Sequence, residues 1–107
     1  MNAARIDFAS LAWERPVPGV RCKTIVRDGR SLRLVELSRE FVESDWCMKE
    51  HIGYVLRGEL EITSGDGRRE TFAAGDGIFI REGEPEQHKD KARVFGSLAI
   101  LVLVENA

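Results

Sequence analysis

Apolar residues in this chain recur at a spacing of two, in short runs broken by glycine- and aspartate-containing turns. Val20, Cys22, Thr24 and Val26 fall on one face of such a run, and Arg21, Lys23 and Arg27 on the other, with Ile25 as the exception. Asp28-Gly29 predicts a turn into a second strand, Leu32 to Leu37. Ile52 to Ile62 reads as two strands around a tight Arg57-Gly58 corner, with Gly58 supplying a positive φ. Turns at Ser64-Gly65-Asp66-Gly67 and Ala74-Gly75-Asp76-Gly77 lead into Glu70-Thr71-Phe72 and Ile78-Phe79-Ile80. Ala92 to Phe95 and Leu98 to Val104 supply two more strands. No segment sustains a three-to-four residue apolar period, so long helices are not expected. Short strands separated by frequent turns predict an all-β sandwich or barrel.

Two segments depart from simple alternation. Residues 1–19 contain Pro16 and Pro18 and read as an irregular N-terminal arm or edge strand, anchored by Phe8, Leu11 and Trp13. Residues 20–107 then form the single barrel domain. Leu98 to Val104 is apolar at both parities, which predicts burial on both faces, the outer one under the arm or a second subunit. A homodimer is therefore expected, since small domains bury less of their surface alone.

Composition narrows the function classes. The chain has 107 residues, enough for one core, and its 32% charged content fits a globular fold in water. Sixteen basic against eighteen acidic residues give a net charge of -2, so no nucleic-acid partner is expected. No apolar run is long enough for a membrane-spanning helix, and no membrane partner is expected. Met1 to Trp13 lacks a basic region followed by an apolar run, so no secretory leader is expected. Two cysteines, Cys22 and Cys47, are too few for a disulfide scaffold, and the expected address is cytoplasmic. Neither a G-x-S-x-G elbow nor a phosphate-cradling glycine loop is visible.

The chain has two histidines, each in a glycine-punctuated strand run: His51 opens His51 to Ile62 and His88 closes Gly75 to His88. Imidazole is the commonest metal ligand and the usual proton carrier near neutral pH. Tyr54-Val55-Leu56-Arg57-Gly58-Glu59-Leu60-Glu61-Ile62 resembles the end of the first cupin motif. Ala74-Gly75-Asp76-Gly77 through Gly83 resembles the second, with sixteen residues between Gly58 and Gly75. The chain thus resembles the small single-domain bacterial cupins over roughly Leu32 to Val104. The resemblance implies a small jelly-roll β-barrel.

It also implies a site, in altered form. The family's His-x-His and Glu ligands fall on Asp45, Cys47 and His51. In the second motif Arg81 replaces a proline, the histidine position falls on Glu86 with His88 two residues later, and the asparagine position falls on Asp90. Residues two apart on a strand share a face, so Asp45 and Cys47 can both point inward, as can Glu86 and His88. His51 joins them if the intervening residues stay extended or carry a bulge.

The expected metal set is His51, His88 and Cys47, with Asp45 and Glu86 in reserve, for a divalent ion: zinc, iron, nickel or copper. The bland alternative places both histidines in a polar cavity without metal. Cys22 reads as a small buried hydrophobe. Trp46 and Tyr54 point away from the cavity, Glu59, Glu61 and Glu70 read as solvated charges, and Arg81 as solvent-facing. The leading expectation is a small-molecule-binding cupin with a divalent metal. The alternatives are a non-enzymatic ligand-binding or sensory module and a metal-free dimeric structural barrel. Whether the site turns over a substrate is left open by the sequence.

Overall fold

The computed structural model describes residues 4–41, 43, 47, 49–81 and 90–107, and for residues 90–92 the backbone alone. The fold is all-β: a six-stranded antiparallel sheet with one short 3-10 turn, Phe8–Ser10, among the described residues. The strands are β1 (Val20–Arg27), β2 (Arg30–Ser38), β3 (His51–Ser64), β4 (Arg69–Ala73), β5 (Gly77–Ile80) and β6 (Asp90–Asn106). They run in the order β1-β2-β6-β3-β4, with β5 also paired to β3. Among the described residues no helix is long and apolar enough to cross a membrane.

The β1–β2 hairpin closes on Asp28 and Gly29, both at positive φ (51° and 74°). That pair matches the twist of the flanking strands, which is why Asp-Gly signals the turn in the sequence.

The long strands correct the expectation. Residues 51–64 form one continuous strand where a corner at Arg57-Gly58 is expected, and β6 likewise runs unbroken through Gly96. The two pair with each other along most of their length, and the register shifts between Val55 and Arg57 and again between Arg57 and Glu59. Gly58 (φ 79°) and Gly96 (φ 73°) lie in this shifted stretch. A Cβ on Gly58 would lie 2.0 Å from the Leu98 carbonyl oxygen, so here the strands approach through glycine alone. The positive φ of Gly58 agrees with expectation, but it serves a bulge rather than a hairpin.

Beyond the bulge the inward parity of β3 changes. Val55 is buried before it, and Leu60 and Ile62 after it. The same change occurs on β6, where Leu60 faces Val94 but Val55 faces Leu101. The core gathers these residues with Cys22, Val35, Leu37 and Ile78. Fully buried side chains such as Leu60 contribute about 1.5–3 kcal/mol each.

The arm lies along β1, the sheet's edge. Glu14 and Cys22 exchange both backbone hydrogen bonds at 2.8 Å. Trp13 stacks under the Arg21 guanidinium (4.0 Å) and the Lys23 ammonium (4.7 Å). Lys23, expected on the wet face, is only 8% exposed because the arm covers it, and its Nζ donates to the Phe8 carbonyl at 2.7 Å. Cys22 is buried, as its reading as a small hydrophobe expects. Ile100, Val102 and Val104, on the outward parity of β6, are half-buried, whereas Ala99, Leu101 and Leu103 are buried.

Candidate functional site

Among the described residues, the inward face carries a polar cluster at the end of an otherwise apolar row. Two steps from Gly53 and four from Val55, His51 keeps their parity at the start of β3. On β6, Glu105 continues the inward series Ala99, Leu101, Leu103. The pairing of Ile52 with Val104 places His51 and Glu105 side by side across the two strands. Arg33, inward on β2 beside Leu103, approaches from the other flank.

The three side chains connect directly. The His51 Nδ1 to Glu105 Oε2 distance is 2.7 Å, and Arg33 Nη1 donates to Glu105 Oε1 at 2.8 Å. Cys47 Sγ stands 3.2 Å from His51 Nε2, on the far edge of the ring from Glu105. The Glu105 side chain is 10% exposed. Burial alone would push its carboxyl up, but the hydrogen bonds from His51 and Arg33 outweigh that and hold it below its ordinary value. For Arg33, burial lowers the pKa, yet its bond to Glu105 leaves the guanidinium above its ordinary value.

Of the expected ligands, Cys47 and His51 are brought together. Asp45, Glu86 and His88 lie outside the described residues, as does Trp46. Tyr54 points outward, opposite His51, and Arg81 is exposed. Glu59 and Glu70 are exposed too, while Glu61 is half-buried and lies 3.6 Å from Arg93. Sequence reasoning missed Glu105 and Arg33. The usable signal was an acidic residue on the inward parity of the most apolar strand, where an unpaired charge is rarely tolerated.

Cys47 and His51 are side chains of the kind that ligate divalent metals. Sulfur and nitrogen ligands of one tetrahedral centre stand about 3.5 Å apart, a few tenths from the separation here. A thiolate with an imidazole suits zinc, iron, nickel or copper. Glu105, on the opposite ring nitrogen, would support the histidine without touching the ion. Among the described residues no three His, Cys, Asp or Glu side chains converge to hold an ion, so a third ligand would come from elsewhere in the chain. The same contact also allows proton exchange between the thiol and the imidazole.

This fold is that of the cupins. Over 98% of the chain it superposes on 80% of the polyketide cyclase RemF from Streptomyces resistomycificus, with a TM-score of 0.75 and 21% identity. An RmlC-like cupin from Shewanella frigidimarina matches 98% of the chain over 91% of its own length, with a TM-score of 0.71 and 16% identity. The Fe(II) form of HppE matches 98% of the chain over 62% of its own length, with a TM-score of 0.71 and 16% identity. No family model and no curated protein matches the sequence. The chain is a small cupin-fold protein.

Proposed function

We propose that this protein is a small-molecule-binding cupin whose site holds a divalent metal through His51 and Cys47, with His88 as third ligand. Asp45 and Glu86 are the reserve ligands. The observation that carries the reading is the 3.2 Å approach of Cys47 Sγ to His51 Nε2, a sulfur and a nitrogen donor side by side. Glu105 and Arg33 anchor the ring from behind, which suits a ligand that must keep its orientation. Iron gains support from the Fe(II) form of HppE, a protein of the same fold. When bound, the metal would polarise an oxygen of the small molecule or activate water or dioxygen. The chain's own residues would do the positioning: Glu105 and Arg33 hold the His51 ring. Cys47 and His51 would bind as thiolate and neutral imidazole, with no proton left between them.

A second reading, a metal-free dimeric module, rests on the outer face. Tyr54 (48% exposed), Leu56 (49%) and Phe79 (71%) stand there beside half-buried Ile52 and Val102. Such an apolar face suits a second copy of the chain, and dimerisation is compatible with either reading. The net charge of -2 supports neither nucleic acid nor an anionic membrane as partner. We place the protein in the cytoplasm, where two cysteines need not form a disulfide.

Elemental analysis of the purified protein, before and after reconstitution with zinc, iron, nickel or copper, tests the metal. About one ion per chain is expected, lost in His51→Ala and His88→Ala. A content near zero that no metal restores sinks the metal reading and leaves the metal-free module.

A further inference from the structure

The buried carboxylate behind His51 makes a choice that the ring cannot make for itself. An imidazole has two nitrogens, and which of them carries the proton decides which can accept a bond. An ionised carboxylate accepts hydrogen bonds and cannot donate one. With Glu105 Oε2 2.7 Å away, the proton of His51 therefore sits on Nδ1, and this holds for the neutral and the charged ring alike. Arg33 occupies the other carboxylate oxygen at 2.8 Å, so the group cannot rotate away without abandoning a charged donor.

We propose that Glu105, clamped by Arg33, is a positioning residue that fixes His51 in the Nδ1–H tautomer and turns the Nε2 lone pair toward Cys47. Its effect on metal affinity rests on the metal reading above. The tautomer itself does not.

Glu105→Gln separates positioning from bulk, because it keeps the shape but makes the two ends unlike. One end accepts and the other donates. Arg33 has donors only, so the amide turns its oxygen to Arg33 and its NH2 group to His51. Nδ1 must then accept, and the neutral ring carries its proton on Nε2, facing Cys47. A metal cannot bind there until that proton leaves. In the double variant Arg33→Met/Glu105→Gln the amide is free to turn its oxygen to Nδ1, and the Cys47 thiol, a donor beside Nε2, favours that turn and with it the original tautomer. A merely structural glutamate would not be rescued by removing a second polar partner.

The test is nitrogen-15 NMR of the histidine ring in metal-free protein, followed by calorimetric titration with zinc. The expected results are Nδ1–H in the wild type, Nε2–H in Glu105→Gln, and Nδ1–H again in the double variant. Zinc affinity should fall about 10–100-fold in Glu105→Gln and largely recover in the double variant. A neutral wild-type ring with its proton on Nε2 overturns the proposal, as does a Glu105→Gln protein with the wild-type tautomer. The wild-type spectrum needs no substitution, so a variant that fails to fold leaves the test standing. A wild type that takes up no zinc removes the metal reading, while the ring spectrum still decides the role of Glu105.

Discussion

Gly53 offers a sharp test of how β3 and β6 are held together beside the site. It pairs with Leu103, one position along from the Ile52–Val104 pair that brings His51 to Glu105. A Cβ there would lie 1.9 Å from the Val102 carbonyl oxygen and 2.8 Å from Leu103 Cδ2. Leucine can change rotamer, but the carbonyl belongs to the β6 backbone and cannot yield without moving the strand. Overpacking costs about 1–3 kcal/mol where side chains can adjust, so Gly53→Ala should reach the top of that range. At about 4–8 °C per kcal/mol for a domain of this size, the melting temperature should fall by about 12–24 °C.

Gly29→Ala is the matched control. Its φ is 74° and nothing stands within 4 Å, so its penalty is conformational alone, about 1–2 kcal/mol. Gly53 carries no positive φ, so its penalty is steric alone. Thermal unfolding followed by circular dichroism compares the two. A Gly53→Ala protein that melts with the wild type, or above Gly29→Ala, would refute the close approach of the strands.

Two further outcomes follow from the same geometry. The Glu105 carboxyl titrates lower in the folded protein than its ordinary value of 4.5, so its contribution is complete above that pH and lost as pH falls through the lowered value. Urea midpoints measured from about pH 5 down to pH 3 should therefore drop more steeply for wild type than for Glu105→Gln, and equal slopes would contradict the ionised pair. Tyr54→Glu/Phe79→Glu should convert a dimer to a folded monomer by light scattering, because both side chains are already exposed. A wild type that stays monomeric at high concentration would remove the dimer.

Much of the fold is legible in the sequence because local chemistry decides it. Asp28-Gly29 announces its turn through the positive φ it must supply, and alternation places Cys22 inward and Arg21 outward. Gly58 is legible as a special backbone position but not as a bulge. A glycine within a β-rich run reads alike at a hairpin corner and inside a bent strand; only the partner strand distinguishes them. Lys23 misleads for a related reason, since its burial depends on the arm folding back over β1. At the site, motif spacing draws attention to Cys47 and His51. Glu105 lies 54 residues from His51, and only the β3–β6 register brings it there. Long-range pairing of this kind leaves no trace in a local window.

The register shift around Gly58 has a consequence for how the molecule can vary. Alternation normally ties a strand together rigidly, because a slip of one residue turns every inward side chain outward. Here the beat restarts at the bulge, so the segment carrying His51 and Val55 keeps time separately from the one carrying Leu60 and Ile62. A change of phase on the His51 side would be absorbed at the glycines before it reached the far half of the core. A slip of one residue on the His51 side would thus leave Leu60 and Ile62 facing inward.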